Sequence, residues 1–539
     1  MPPAVPTCGG PGRVTRDCSW QTGSRDTGPT RATRARQAVT NRPAVTSGTW
    51  PGGTVRTVVS SAAVAPAGRA RSRPRPGRDP DTTLPGHPPG TRRDIRDGRN
   101  GTAVSNSTVG SHSPAPGADW VVPTPARPVD ATVRVPGSKS ITNRAYVLAA
   151  LASTATLVRH PLDSRDARLM IDALGVLGAR SEHTDTAVRI HPLESRRCPD
   201  PAEIALGNSG TVARFTPPLA ALGPATVRFD GDPALRRRPM AGVLRALRDL
   251  GVDIDDGGDP APPFTVRGTG GVRGGVVDVD ASASSQFLSA LLLAGPAFRE
   301  GITARLVGSA PPSGPHIAMT LDLLRTFGAA PLRDGTEFHV PPATLGCPDY
   351  TVEPDLSSAA PFLMAAALTG GSVRVLDWPA STTQPGDWVR SLLTELGVSV
   401  TTDERGVTAT GSGVLPGAEL DLHDVSELTP VVAAMLCFAT EPSTIRGVAH
   451  LRGHETDRLA ALATELSRLG GRVTETGDGL RIVPSPMRSG TFHTYDDHRL
   501  VMAAALIGLR VPGVAVENPA TVGKTFPGFV EAWSGMLGA

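Results

Sequence analysis

Lysine is almost missing from this sequence. Of its 54 Lys and Arg side chains only Lys139 and Lys524 are lysine, and the other 52 are arginine. Arginine stays protonated in proteins, whereas a lysine crowded by other cations can give up its proton. Two lysines in an arginine-using chain are exceptions that call for an explanation. Lys139 lies in Gly137-Ser138-Lys139-Ser140, followed by Asn143-Arg144. Comparable polar clusters open other apolar stretches: Asn208-Ser209-Gly210-Thr211 with Arg214, Ser284-Ser285-Gln286, Glu427, and Asp496-Asp497-His498-Arg499. Helix N-termini carry unpaired N–H groups and partial positive charge, so such clusters suit phosphate or carboxylate. Ordinary N-capping explains any one cluster. It does not explain Lys139, Arg144 and Arg499 beside them.

Two other motifs are superficial. Gly137-Ser138-Lys139-Ser140 imitates a P-loop, but Ser138 stands where that pattern needs glycine. Gly268–Gly275 imitates a dinucleotide fingerprint, but Arg273 takes the third glycine position and Val276-Val277-Asp278-Val279 reads as a strand. A glycine-rich hairpin is expected there.

The elements that position the clusters repeat. Apolar segments with almost no polar face recur at Ala145–Ala152, Pro217–Leu222, Phe287–Ala294, Phe362–Leu368, Val431–Ala439 and Val501–Leu509. A helix apolar all round must be buried all round. Between them, amphipathic stretches end at Gly178, Gly251, Gly328, Gly397 and Gly470, spaced 73, 77, 69 and 73 residues apart. Glycine past a helix end is the usual left-handed cap, and five at nearly constant spacing are a repeat. One amphipathic and one buried helix with strands between them make a βαβαββ-like unit. Six units exceed one compact core, so two domains of three units are expected, with a crossover near Val352. There Ser357-Ser358-Ala359-Ala360 echoes Ser284-Ser285.

The formal charge of +3 hides two unlike pieces. Residues 1–118 hold seventeen Arg, six Asp and no Glu or Lys (+11), and the remaining 421 hold 37 basic and 45 acidic residues (−8). The first piece also holds 16 Pro and 16 Gly, a level that signals disorder. Its Arg-rich, acid-poor character fits an organellar leader, a basic tail for nucleic acid, or an extension without function; lacking aromatic interleaving, it is read as the last. No apolar run reaches the roughly 18 residues of a membrane span, and the N-terminus lacks an apolar signal core. Cys8, Cys18, Cys198, Cys347 and Cys437 show no metal spacing. A soluble, reduced, cytoplasmic protein with no metal and no cofactor is expected.

The motifs Pro136-Gly137-Ser138-Lys139-Ser140, Leu206-Gly207-Asn208-Ser209-Gly210-Thr211, Arg238-Pro239, Ser284-Ser285-Gln286-Phe287, Glu455-Thr456-Asp457-Arg458-Leu459, Asp497-His498-Arg499 and Lys524-Thr525-Phe526-Pro527 run through the structured part. On these, the chain from about Val121 resembles the 5-enolpyruvylshikimate 3-phosphate synthase (3-phosphoshikimate 1-carboxyvinyltransferase) family. The resemblance implies an inside-out α/β barrel of two domains, each with three βαβαββ units. The first domain is expected at 119–136 and 353–539, the second at 137–352, and 1–118 as a disordered extension. It implies transfer of the enolpyruvyl group of phosphoenolpyruvate to the 5-hydroxyl of shikimate 3-phosphate, in the shikimate pathway to chorismate and aromatic amino acids.

By the same resemblance, Lys139, Ser140, Arg144, Ser284, Ser285, Gln286, Ser313, Glu427, His450 and His454 hold shikimate 3-phosphate. Lys139, Gly210, Arg238, Gln286, Arg458, Arg499 and Lys524 hold phosphoenolpyruvate. Catalysis is expected from Glu427 as base to the 5-hydroxyl, and from Lys139, Glu455, Lys524 and His454. This sequence departs from the family's common residues: His454 stands for a frequent Lys, His450 for Asn, His316 for Tyr and Glu427 for Asp. A neutral His454 would bring no charge.

Each substrate carries roughly −3 near pH 7, and Lys139, Arg144, Arg238, Arg458, Arg499 and Lys524 supply +6. Ligands from both halves imply an open form that closes over the substrates. Gly210 matches a glycine associated with glyphosate accommodation, so inhibition is expected, as is a monomer. The related UDP-N-acetylglucosamine enolpyruvyl transferase shares the fold; it commonly uses a reactive cysteine in a mobile loop, and no cysteine here sits in such a motif.

Overall fold

The computed structural model describes residues 47–50, 53–57, 118–194 and 197–538. Most of the expected N-terminal extension therefore lies outside the described residues. Within it, strands Ser47–Trp50 and Gly53–Thr57 pair as a hairpin, and the second adds antiparallel to Ala418–Asp421.

Five of the six repeats pair two parallel strands with an antiparallel hairpin, and the sixth pairs two parallel strands with one antiparallel strand. In the second, Ala202–Ala205 runs parallel to Thr226–Asp230, and Phe264–Arg267 and Asp253–Asp255 continue the sheet antiparallel. Helices Gly210–Ala220 and Ala241–Asp249 fall between these strands, which completes a βαβαββ unit. Strand burial alternates: Ala202 and Ile204 are buried while Glu203 and Ala205 face solvent. That is the period of a sheet with one dry face. The helices lie on the dry side. Every residue of Gly210–Ala220 and of His498–Gly508 is buried. The protein is thus an inside-out α/β barrel in each of two domains, with helices inside and sheets outside.

Three units borrow a strand from a distant part of the chain. Asp349–Thr351 completes the sheet of Thr156–Arg159, and Asp130–Val133 completes that of Ser372–Leu376. Trp120–Val121 pairs with Val514–Val516, so the sixth unit is closed by residues before the first. The chain therefore crosses between halves twice. The crossings hold each other: Ser138 N–H donates to Glu353 O and Asp355 N–H to Pro136 O, both at 2.8 Å. Buried apolar residues fall into two clusters, one spanning Ile141–Val352 and the other joining Trp120–Val135 to Leu356–Met536.

Gly178, Gly251, Gly328, Gly397 and Gly470 all have φ between +82° and +105°, as left-handed caps require. Gly538, at φ +68°, ends the last helix in the same way. The segment Gly268–Gly275 is not the expected hairpin. Strands Phe264–Arg267 and Gly275–Asp280 belong to different sheets, and the glycines form the loop between units. A Cβ at Gly268 would lie 2.1 Å from Gly223 O, and one at Gly274 2.0 Å from Gly301 O. Gly268 and Gly274 serve close packing, whereas Gly270 has an open surround and is there for its φ of +84°.

Candidate active site

All six buried helices aim their N-terminal ends at one cavity. It is lined by Lys139, Gly210, Ser285, Ser357, Glu427 and Arg499, one from the start of each, three from either half. Capping accounts for only some of these ends. Ser284 Oγ accepts from Gln286 N–H, and Asp355 accepts from Ser358 N–H at 2.8 Å and from Lys139 N–H at 3.2 Å. Ser138, Ser209 and Leu428 make no side-chain cap, although at the first of these starts Asp355 takes the Lys139 N–H. Helix Gly314–Thr326 starts beside Ser285–Ala294, with Ser313 at φ +57° as its N-cap. Ser284, Ser285 and Ser313 thus sit at two helix starts, an arrangement suited to an oxyanion.

Two of the buried cations around this cavity, Arg144 and Arg499, have no carboxylate within salt-bridge distance among the described residues, and Arg238 has only Glu455, at 3.9 Å. Arg144, 1% exposed, donates to Thr320 Oγ1 at 2.8 Å, Ser140 O at 3.0 Å and His316 O at 3.3 Å. Its guanidinium lies over the Phe215 ring, and burial lowers its pKa to about 9, which leaves it charged at pH 7. Arg238 and Arg499 are each 7% exposed. Arg238 Nε and Nη1 and Arg499 Nη1 find no hydrogen-bond partner in the protein. Glu427 Oε2, His450 Nε2 and His498 Nδ1 share that condition. These six are among fourteen such buried atoms in the described residues, and all six belong to residues lining this cavity. An unsatisfied buried polar group costs about 1–3 kcal/mol, more if charged, so their concentration here marks a place built for a polar ligand.

Two carboxylates differ sharply in setting. Glu427 accepts only from Ser357 Oγ, at 3.2 Å, and burial raises its pKa more than Arg499 lowers it. A raised carboxyl is a stronger base once ionised. Glu455 is the opposite case. Burial raises its pKa, but Lys524, Arg458 and Arg238 outweigh that and hold it well below the carboxylate range. Lys524 Nζ lies 2.8 Å from Glu455 Oε1 and 2.9 Å from Asn208 O. Arg458 is kept charged against burial by Asp497, paired at 2.7 Å, and by Glu455. Burial, with Lys524 and Arg499 nearby, lowers the Lys139 pKa despite Asp166 at 3.8 Å.

The histidines are neutral at pH 7. Burial and neighbouring cations lower His316 to about 3, burial and His423 lower His450 to about 4, and burial with Arg458 lowers His454 strongly. Arg458 Nη1 faces His454 Nδ1 at 3.2 Å. An arginine can only donate, so Nδ1 accepts and the His454 proton sits on Nε2.

Of the residues expected to form the site, fifteen line this cavity: Lys139, Ser140, Arg144, Gly210, Arg238, Ser284, Ser285, Gln286, Ser313, Glu427, His450, His454, Glu455, Arg458 and Arg499. Lys524 does not. It lines an adjoining cavity and reaches this one through Glu455. Asp166 lies outside every motif read from the sequence, and Arg214, Asp497 and His498 stand in the polar clusters without individual roles. Arg214 donates to Gly210 O and Pro239 O and faces Gln286 Oε1 at 3.5 Å. Asp166 and Asp497 look like ordinary acids at helix starts, and only the fold turns them toward cations. The balance of +6 against two substrates therefore needs amending, since Asp497 and Glu455 already engage Arg458.

The site cavity measures about 130 Å³, below the roughly 300 Å³ at which small-molecule sites begin. The halves meet across it: Ser313 Oγ lies 3.3 Å from Ser426 Oγ, and Gly314 N–H donates to Asp424 at 3.2 Å. Two substrates need these contacts to part. A cavity of about 1010 Å³ beside the crossovers is roomier, but its Arg134 and Arg168 are paired with Asp377 and Asp163.

Comparison with known proteins gives one answer. Residues 123–533 match the family model for EPSP synthase (3-phosphoshikimate 1-carboxyvinyltransferase). The chain is 52% identical over 435 residues to the 3-phosphoshikimate 1-carboxyvinyltransferase of Kocuria rhizophila, covering 78% of this chain and 97% of the relative. An EPSP synthase structure from Acinetobacter baumannii superposes with a TM-score of 0.65 at 26% identity, over 77% of this chain and 97% of that one. The enolpyruvyl transferase NikO from Streptomyces tendae, at 19% identity and TM-score 0.63 over 78% and 98% of the two chains, shares the fold. With this cavity and these matches, the chain belongs to the EPSP synthase family.

Proposed function

We propose that the chain transfers the enolpyruvyl group of phosphoenolpyruvate to the 5-hydroxyl of shikimate 3-phosphate and releases inorganic phosphate, on the route to chorismate and aromatic amino acids. One observation carries this reading: a match to the EPSP synthase family over 123–533 coincides with a cavity where the buried guanidinium groups of Arg238 and Arg499 have nitrogens without hydrogen-bond partners. The division of labour proposed for the site follows from its two sides. Ser284, Ser285 and Ser313 receive the sugar phosphate at the helix starts, with Lys139, Ser140, Arg144, Gln286, His450 and His454 around the ring. Arg238, Arg458, Arg499, Lys139, Lys524, Gln286 and the Gly210 backbone receive phosphoenolpyruvate.

Glu427, with a raised pKa and a free Oε2, takes the proton of the 5-hydroxyl as its oxygen bonds to C2 of phosphoenolpyruvate. C3 gains a proton from the cluster of Lys139, Glu455 and Lys524, giving a tetrahedral adduct. The C2–O bond to phosphate then breaks while C3 loses a proton, and the double bond returns. Proton transfer by positioned groups contributes typically 10²–10⁴-fold. A neutral His454 donates through Nε2 rather than adding charge.

The two apolar clusters support domain boundaries at 119–136 with 353–539, and at 137–352. Among the described residues no helix is long and apolar enough to cross a membrane. A cytoplasmic, monomeric enzyme open to glyphosate inhibition is part of the same proposal. The rival UDP-sugar reaction lacks a reactive thiol here: among described residues no cysteine lines the cavity, and burial pushes Cys437 up to about 12. Phosphate release from phosphoenolpyruvate should require shikimate 3-phosphate. Release with UDP-N-acetylglucosamine alone would reverse the assignment.

A further inference from the structure

Glu455 is surrounded by the groups that a substrate anion also needs. Lys524 approaches Oε1 from the turn Pro519–Lys524, at 2.8 Å. Arg458, first residue of helix Arg458–Arg468, donates to Oε2 at 3.0 Å. Arg238 Nη1, from the other half, stands 3.9 Å from Oε1, and His454 Nδ1 3.9 Å from Oε2. Lys139, Arg214 and His498 also respond to its charge.

Donor counting shows how far these cations are committed. Arg458 has five N–H donors. Its Nε and Nη2 serve Asp497, Nη2 also serves Glu455, and Nη1 faces His454. One donor is left. Lys524 has three, of which Glu455 and Asn208 O take two. A substrate oxygen held by both Arg458 and Lys524 finds only one donor on each that the protein leaves free, and any further bond from either must come from those that Glu455 and its neighbours now accept.

The same carboxylate stands at a boundary. An outer cavity of about 1110 Å³, lined by Asn208, Arg237, Thr456 and Lys524 among others, adjoins the inner one of about 130 Å³. Asp166, Arg238, His454 and Glu455 line both. The chain of contacts Glu455–Lys524–Asn208 runs across that boundary and ties one half to the other.

We infer that Glu455 is an internal anion that phosphoenolpyruvate displaces from Lys524, Arg458 and Arg238, so that this carboxylate sets the affinity for the substrate and its contact closes the passage from the outer cavity. The inference rests on the substrate reading above. Exchange of one anion for another keeps the buried cations neutralised throughout. Glu455, once parted from the cations, keeps its burial and loses the charges that hold it ionised, so it takes up a proton.

The test is calorimetric titration of phosphoenolpyruvate into the full chain with shikimate 3-phosphate lacking its 5-hydroxyl, which allows both to bind without reaction. Runs in buffers of different ionisation heat give the protons exchanged. The Glu455→Gln protein should bind phosphoenolpyruvate at least about tenfold tighter than wild type, because close charge pairs couple by more than a factor of ten. Its proton uptake should also be lower than that of wild type by up to one proton. Equal or weaker binding, or unchanged uptake, overturns the inference. If Glu455→Gln fails to fold, Glu455→Asp, which withdraws the carboxylate by one methylene, should bind several-fold tighter; equal or weaker binding there overturns it too. Wild-type protein that neither binds phosphoenolpyruvate nor turns over the natural pair would instead refute the substrate reading.

Discussion

Gly210→Ala tests the crowding on which phosphoenolpyruvate binding depends. A Cβ at this position would lie 2.5 Å from Arg214 Nη1 and 2.8 Å from Arg238 Nη2. Ordinary contact begins near 3.4 Å, so the two guanidinium groups must retreat by roughly 0.9 and 0.6 Å. Arg214 is tied to Gly210 O and Pro239 O, whereas Arg238 has two nitrogens without protein partners, so Arg238 gives way more easily. A misplacement on the order of 1 Å can cost about 10²-fold. The prediction is a phosphoenolpyruvate KM raised roughly 10- to 100-fold, with the shikimate 3-phosphate KM changed much less because Ser284, Ser285 and Ser313 are untouched. Glyphosate inhibition should weaken in parallel if it shares this space. Alanine gains at most about 1 kcal/mol of helix propensity at this helix start, while displacing two buried guanidinium groups costs on the order of 1–3 kcal/mol, so a small net loss of stability is expected. Steady-state phosphate release, with each substrate varied in turn, reads the effect. An unchanged phosphoenolpyruvate KM would show that Arg238 does not hold that substrate.

Four further perturbations separate parts of the account. Lys524→Arg keeps the charge but replaces a point donor fitted between Glu455 and Asn208 O with a wider planar group, so kcat/KM should fall at least about 10²-fold; an unaffected rate would refute a need for lysine. Glu427→Gln should lower kcat by about 10²–10⁴-fold and remove the acidic limb of the pH–rate profile. In wild type that limb rises with pH through a pKa above the usual carboxylate value, because the base works ionised and burial raises its pKa; a limb at or below about 4.3 would contradict it. Leu291→Ala, in the interior helix Ser285–Ala294, should cost about 2–5 kcal/mol in urea unfolding, and a loss under about 1 kcal/mol would argue against a tightly packed helical core. Deleting residues 1–117 should leave kcat and both KM values within about threefold of wild type, since the described residues lining the cavity all lie from Ser138 onward; a tenfold loss would give that segment a role.

The six buried helices were readable because they lack a polar face, and five of the caps because glycine marks a left-handed turn at regular spacing. The sixth cap, Gly538, continues the series 68 residues after Gly470, but no β-like stretch follows it to mark the unit; the strand completing that unit is Trp120–Val121. No local pattern reports such a pairing. Arg144, Arg238 and Arg499 carried the site's cationic character in the sequence, but the unpartnered nitrogens of Arg238 and Arg499 are a property of the folded interior. Asp497 is the clearest limit. As a residue before a helix it reads as a cap, which it is to Arg499 N–H, yet it also neutralises Arg458. Local chemistry gives the first role, and only the packing of two distant helix starts gives the second.

The central claim is enolpyruvyl transfer to the 5-hydroxyl through protonation at C3. Carbon NMR of the full-length protein with shikimate 3-phosphate and C2-labelled phosphoenolpyruvate, run in D₂O, observes both features together. The account predicts an enol ether at the sugar 5-oxygen, one equivalent of inorganic phosphate, and deuterium in the product methylene. A product not linked at the 5-oxygen, or a methylene free of deuterium after full conversion, would contradict it.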